Sequence, residues 1–164
     1  MRLRFDPIAR FRLPDGSRYS NLHHFQQVAE RAADTGCDIT VSWVQRYAKV
    51  DRRLKKYGIA LVESCDAERA AEWDHIADIA GKLKVPLHGC CVPGQPVSRC
   101  IDGPLLTHLH PEKVEASMRK AGGQRERCGC TESWDIGWYY PCPGQCIYCY
   151  ARPVEPAQLK GSNP

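Results

Sequence analysis

The sequence contains no apolar run approaching the roughly 20 residues that a membrane span needs, so a membrane-embedded protein is not expected. The opening stretch, Met1-Arg-Leu-Arg-Phe-Asp-Pro7, holds no apolar segment able to act as a secretory leader, and a cytoplasmic location is the expectation. No internal repeat is visible. Cysteine, at ten residues in 164, falls short of the roughly 8–10% that marks a disulfide scaffold. In a reducing compartment, clustered cysteines serve as metal ligands or redox groups more often than as bridges. What remains is an ordinary folded composition, 43% apolar and 26% charged, in a chain long enough for one core.

The net charge of +4 is unevenly spread. Residues 1–60 hold 12 Lys+Arg against 6 Asp+Glu, residues 61–111 hold 4 against 7, and residues 112–164 hold 7 against 6. The surplus peaks at Lys49, Arg52, Arg53, Lys55 and Lys56. A basic helical face can meet phosphates. The plainer reading is a solvated surface helix, because a pI near 8.5 lies below the range of typical nucleic-acid binders; a nucleic-acid partner is not expected.

Along the chain, Leu3, Phe5 and Ile8 predict a short strand ending at Asp6-Pro7, and Pro14-Asp-Gly16 predicts a turn. Ser20 or Asn21 can cap a helix carrying Leu22, Phe25, Val28, Ala29 and Ala32, which Gly36 stops. Asp38–Val44 is β-branched and aromatic and predicts a buried strand. A second helix is expected with Val44, Tyr47, Ala48, Leu54 and Tyr57 on one side, a third over 67–84, and a strand over 85–89. This order argues an α/β layer with parallel strands over residues 1–91. Residues 92–164 read as a loop, a helix starting at Pro111 with Val114, Ser117, Met118 and Ala121 inward, and an irregular cysteine-rich segment, all within one structural domain.

The sharpest signal is Cys142-Pro-Gly-Gln-Cys146-Ile-Tyr-Cys149. Thiolates are soft ligands that suit zinc and iron–sulfur clusters. Three of them at offsets of four and three can wrap a [4Fe–4S] cubane, leaving one iron without a protein ligand. Clusters that only carry electrons normally take four cysteines, whereas an open position admits a substrate or cofactor. Pro143 and Gly144 suit the tight loop this requires.

This spacing resembles the cluster motif of the radical S-adenosylmethionine enzymes, with Cys142, Cys146, Tyr148 and Cys149 matching position for position. The resemblance implies that the open iron chelates S-adenosylmethionine, whose reductive cleavage starts hydrogen abstraction from a substrate, and that Tyr148 packs near the adenine. In those enzymes the motif usually stands near the start of the chain, whereas here 15 residues follow Cys149. Arg4-Phe-Asp-Pro-Ile8, Cys100-Ile-Asp-Gly103, Gln124-Arg125, Cys128-Gly-Cys130, Ser133-Trp-Asp-Ile-Gly137 and Cys146-Ile-Tyr-Cys-Tyr-Ala151 resemble, in order, the C-terminal half of an uncharacterised bacterial family, domain-of-unknown-function family 1848. Members of that family carry a further segment upstream of the Arg-Phe-Asp-Pro motif. The radical S-adenosylmethionine resemblance implies that residues 1–91 are the β/α units of a partial, TIM-like barrel. It implies as partners S-adenosylmethionine and an unidentified substrate, with a reductase or a missing N-terminal half supplied by another chain; a truncated fragment with an incomplete core is the further alternative. The family resemblance supplies no substrate.

A zinc alternative pairs Cys128-Gly-Cys130 with Cys146-Ile-Tyr-Cys149 and makes the chain a binding module without catalysis, docking a protein or nucleic acid. The C-x3-C-x2-C run with its aromatic is more restrictive and outweighs it. If Cys142, Cys146 and Cys149 hold one cluster, then Cys91, Cys100, Cys128 and Cys130, with Cys90 as alternate, can form a second metal site. Against that stands the reading of Cys90 and Cys91 as buried inert thiols. Cys37 and Cys65 stand alone beside helix ends and read as structural. Among weaker signals, His108-x-His110 reads as an exposed loop pair, His23 and His24 as pointing apart on a helix, and His88 as a minor ligand candidate. Gly122-Gly123 reads as a helix stop, and Trp134, Trp138, Tyr139 and Tyr140 as apolar cover for a cluster.

Overall fold

The computed structural model describes residues 1–134 and Tyr148. In chain order the elements are β1 (Arg2–Ile8), β2 (Arg10–Arg12), β3 (Arg18–Ser20), a 3-10 turn (Asn21–His24), α1 (Phe25–Thr35), β4 (Asp38–Trp43), α2 (Ala48–Lys55), β5 (Ala60–Val62), α3 (Asp66–Lys82), β6 (Leu87–Gly89) and α4 (Gly103–Leu109). They fall into two compact units. Residues 1–9, 20–44 and 63–134 form the first, and the described part of the second is residues 10–19 and 45–62.

The first unit is α/β. Its sheet has the order β1-β4-β6, and both pairings are parallel. The chain therefore runs strand, helix, strand, helix, strand, each strand beside its predecessor. Right-handed crossovers in one direction of travel put α1 and α3 on the same face, where they touch. Period-two alternation sorts the side chains. Leu3 and Phe5 on β1, and Ile39 and Val41 on β4, pack with Phe25, Ala29, Ala32, Trp73 and Ile76 in one core. Phe5 meets Phe25 edge to face at 5.3 Å between ring centroids. Each large side chain buried there contributes about 1.5–3 kcal/mol. Among the described residues the parallel sheet has three strands and does not close into a barrel.

Local chemistry sets the helix ends. Gly36, at φ 64°, takes the left-handed conformation that ends α1, and its N–H reaches the Ala32 and Ala33 carbonyls. Ser20 Oγ accepts the Leu22 N–H at 3.2 Å but starts a 3-10 turn, so α1 begins at Phe25, later than the periodicity predicts. At α3 the capping is reciprocal. The Cys65 side chain accepts the Glu68 N–H, and Glu68 Oε2 accepts the Cys65 N–H at 2.9 Å.

The second unit is antiparallel where the first is parallel. Its sheet has the order β3-β2-β5, with Arg10, Phe11 and Arg12 opposite Val62, Leu61 and Ala60. The turn expected at Pro14-Asp-Gly16 is present, with Gly16 at φ 83° and its N–H on the Leu13 carbonyl at 2.9 Å. Val50 and Leu54 of α2 and Leu61 of β5 are its buried apolar residues.

Three expectations are corrected. β1 runs through Asp6-Pro7 instead of ending there, because the register shift between Phe5 and Ile8 absorbs the proline and β1 is an edge strand. Helix α2 starts at Ala48, and its inward residues are Val50 and Leu54, while Tyr57 is 61% exposed. No helix starts at Pro111. Asp102 Oδ1 instead caps α4 through the Leu105 N–H at 3.2 Å, with Pro104 in the first turn. Lys113 takes a left-handed φ of 54°, which no helix interior accepts, and Val114 and Met118 are exposed.

Candidate metal centre

The sheet face opposite α1 and α3 is polar. Arg2, Arg4 and Asp6 alternate with the core residues of β1, as Thr40 and Ser42 do on β4. Thr40, Ser42 and Ser98 are nonetheless buried, because the 97–100 segment lies across this face. Thr40 Oγ1 and Ser98 Oγ share a hydrogen bond of 2.8 Å, and Arg2 Nη1 donates to the Arg99 carbonyl at 3.1 Å. The Ser98 N–H donates to the Gly89 carbonyl at 3.0 Å, while the Gly89 N–H donates to the Pro96 carbonyl at 2.7 Å. A loop returning from β6 is thus stitched to the sheet by polar contacts, and it carries Cys100 with it.

Cys90 and Cys91 follow β6 directly, at the strand's C-terminal end, with the Cys90 N–H on the Val41 carbonyl at 2.8 Å. Cys91 has a left-handed φ of 60°, unusual for a residue with a side chain. Such strain costs on the order of 1–2 kcal/mol. The 128–130 turn brings in the other pair. Its Gly129 has no room for a side chain, since a Cβ there would lie 2.6 Å from Val97 Cγ1. The Cys100 N–H donates to Cys130 Sγ at 3.1 Å.

The result is a row of five thiols. Cys90 is in contact with Cys91, Cys91 with Cys128, Cys128 with Cys130, and Cys130 with Cys100. A guanidinium stands at each end. Arg4 Nη1 reaches Cys100 Sγ at 2.5 Å, and Arg125 Nη2 reaches Cys90 Sγ at 3.2 Å. Arg4 is held from its other side by Asp6, which also accepts from Ser42 Oγ. Burial pushes the Cys90, Cys91, Cys100 and Cys128 thiols up, and neighbouring thiols add to that. Burial also acts on Cys130, but the backbone N–H groups of Ile101 and Cys100 and the thiols of Cys128 and Cys100 outweigh it and bring Cys130 below the ordinary value.

Chemically, this is a cluster of sulfurs contacted by two guanidiniums. Five soft donors suit a metal–thiolate group, and two guanidiniums would offset the negative charge such a group carries. Among the described residues no three Cys, His, Asp or Glu side chains converge on a single ion's position.

Cys142, Cys146 and Cys149 lie outside the described residues, as do Trp138, Tyr139 and Tyr140. Tyr148 is described and 41% exposed. Cys37 is buried in the core, and Cys65 is exposed at the α3 cap. His88 Nε2 stands 3.3 Å from Asp38 Oδ2, its Nδ1 buried without a partner. His23 and His24 do not point apart, since their ring centroids are 3.8 Å from each other in the 3-10 turn. Trp134 is 94% exposed. Sequence reasoning missed Arg4, with Asp6 and Ser42 that hold it, and Arg125, the two guanidiniums that reach the thiols. The charged and apolar alternation of Arg2-Leu-Arg-Phe-Asp6 was the signal that could have found the first two.

The chain matches DUF1848, a domain of unknown function, over residues 1–151. No curated protein and no solved structure matches it.

Proposed function

The chain belongs to the DUF1848 family, and on that premise we propose that it is an iron–sulfur protein of the radical S-adenosylmethionine type with two metal sites. Cys142, Cys146 and Cys149 hold an open-site [4Fe–4S] cluster, and Tyr148 packs against the adenine of S-adenosylmethionine. Cys91, Cys100, Cys128 and Cys130 hold a second, fully ligated cluster, with Cys90 as the alternate ligand. The β1-β4-β6 sheet is an arc of a β/α barrel, whose active sites lie at strand C-terminal ends. The observation that carries this reading is the row of five thiols between Arg4 and Arg125 at the C-terminal end of β6.

When bound, such an open-site cluster supplies one-electron reductive cleavage of a sulfonium. The residues of this chain do the holding. Arg4, fixed by Asp6 and Ser42, and Arg125 counter the charge of the second group, and Gly129 lets the 128–130 turn press on the 97–99 segment. The substrate, the reductase and any N-terminal half would come from outside the residues described.

The test is the low-temperature electron paramagnetic resonance spectrum of anaerobically reduced protein, with and without S-adenosylmethionine. The proposal expects two overlapping signals, of which one shifts with the cofactor and disappears in Cys142→Ala. A spectrum indifferent to the cofactor would make this a redox-cluster module without this catalysis. Stoichiometric zinc without iron would make it the zinc module.

A further inference from the structure

The second unit concentrates the chain's positive charge. Its described residues, 10–19 and 45–62, hold nine Lys and Arg against two acids, Asp15 and Asp51. The described residues of the first unit hold 12 against 15. A whole-chain pI near 8.5 therefore averages a strongly basic module with an acidic one and hides both. Six of the nine basic residues, Arg12, Arg18, Arg46, Arg52, Lys55 and Lys56, are exposed.

Position sharpens the point. Arg52, Lys55 and Lys56 stand at i, i+3 and i+4, on the side of α2 directly opposite the buried Val50 and Leu54. Like charges at these spacings destabilise a helix by a few tenths of a kcal/mol per pair. The helix C-terminus offsets part of that through its dipole. No acid offsets the rest, because Asp51 is taken by Arg46 Nε at 2.7 Å, Asp15 folds back on Ser17, and the three cations have no ion-pair partner among the described residues. Two tyrosines flank the helix, Tyr47 at 42% and Tyr57 at 61% exposure. A cationic stripe with exposed aromatic rings at both ends is the composition that tracks a phosphate backbone and stacks unpaired bases.

We propose that α2 and its flanks form a docking face for single-stranded nucleic acid. The phosphates meet Arg52, Lys55 and Lys56, and unpaired bases stack on Tyr47 and Tyr57. The proposal is independent of the metal sites. The opposite side of the same unit supplies a control. On β2, Arg12 alternates with Phe11, which stacks on Tyr19 at 6.4 Å and shares the register of buried Leu61, so Arg12 projects from the other sheet face.

The test is fluorescence anisotropy of a labelled mixed-sequence oligoribonucleotide of about 20 nucleotides, titrated with the full chain across salt concentrations. Affinity is expected to fall with salt at about 0.7 per neutralised phosphate, a log–log slope near −2 to −3. Arg52→Glu combined with Lys55→Glu and Lys56→Glu should weaken binding at least tenfold. Tyr57→Ala should weaken it several-fold with the slope unchanged, and Arg12→Glu with Arg18→Glu should cost less than about threefold. Circular dichroism checks that each variant folds. No binding at low salt would overturn the proposal, as would equal losses from both charge reversals, or equal affinity for vesicles of anionic phospholipid together with indifference to Tyr57→Ala.

Discussion

The two units of this chain solve the problem of a small fold in opposite ways. The first builds a parallel sheet with an apolar core on one face and covers the other face with polar stitching and sulfur. The second builds a three-stranded antiparallel sheet and one short helix around Val50, Leu54 and Leu61, and wears its charge outside. Among the described residues, thiols and acids gather in the first, and the surplus of arginine and lysine, with exposed tyrosine, lies in the second. The lesson is that a chain-wide average of charge or cysteine content says little when its parts are specialised. Clustered sulfur beside guanidiniums suits a metal group, and solvated cations beside tyrosine suit a polyanion.

The largest effect that would sharpen this contrast comes from Cys128→Ala combined with Cys130→Ala. Two of the four proposed ligands are lost, and iron is expected to fall from about eight to about four atoms per chain while oligonucleotide affinity stays within error. Inductively coupled plasma analysis and anisotropy on the same preparations check both halves. The α2 charge reversal should do the converse and leave iron unchanged.

Next in size is a pair of glycine substitutions. At Gly129 a new Cβ would sit 2.6 Å from Val97 Cγ1 and 3.3 Å from Arg99 Cγ, so Gly129→Ala should cost about 1–3 kcal/mol and reduce iron loading. Gly16 in the second unit faces open space but holds φ 83°, so Gly16→Ala should cost only about 1 kcal/mol and leave iron untouched. Urea unfolding of each variant measures the costs.

The sequence carried the contrast unevenly. The parallel order was legible because β-branched runs alternate with amphipathic helices, and Gly36 marks a helix stop that the structure uses. The five-residue thiol row was partly legible, since Cys100, Cys128 and Cys130 stand out by spacing. Their neighbours were not, because only the fold brings Arg4 to Cys100 across 96 positions, Arg125 to Cys90 across 35, and Ser42 to Asp6 across 36. The helix expected at Pro111 failed for a local reason. A proline at the first turn, Asp102 as cap and Thr107 as a later partner put the helix at α4 instead, and the Ala116 N–H turns back to Thr107 Oγ1 at 2.9 Å. The short strands β2, β3 and β5 gave no periodicity to read, being three residues each.

A smaller effect is set by pH. The raised thiols of Cys90, Cys91, Cys100 and Cys128 bind protons more tightly in the folded, metal-free chain than in the unfolded one. Their contribution to stability is complete below the ordinary thiol pKa of about 8.5 and is lost as pH rises through the raised values. Thermal melts of the reduced, metal-free chain should therefore decline from about pH 8.5 upward, and the decline should weaken in Cys128→Ala, which removes one of the raised thiols. The smallest difference is at Cys91, where Cys91→Gly relieves the left-handed backbone and should be about 1 kcal/mol more stable than Cys91→Ala in urea unfolding of the metal-free chain.

The most direct measurement is the iron, acid-labile sulfide and zinc content of the anaerobically reconstituted wild-type chain beside the Cys128→Ala and Cys130→Ala double variant. Two iron–sulfur sites predict about eight iron and eight sulfide per wild-type chain and about half of each in the variant. One zinc per chain without sulfide, or an iron content that the double substitution does not change, would contradict a cluster at the row of thiols.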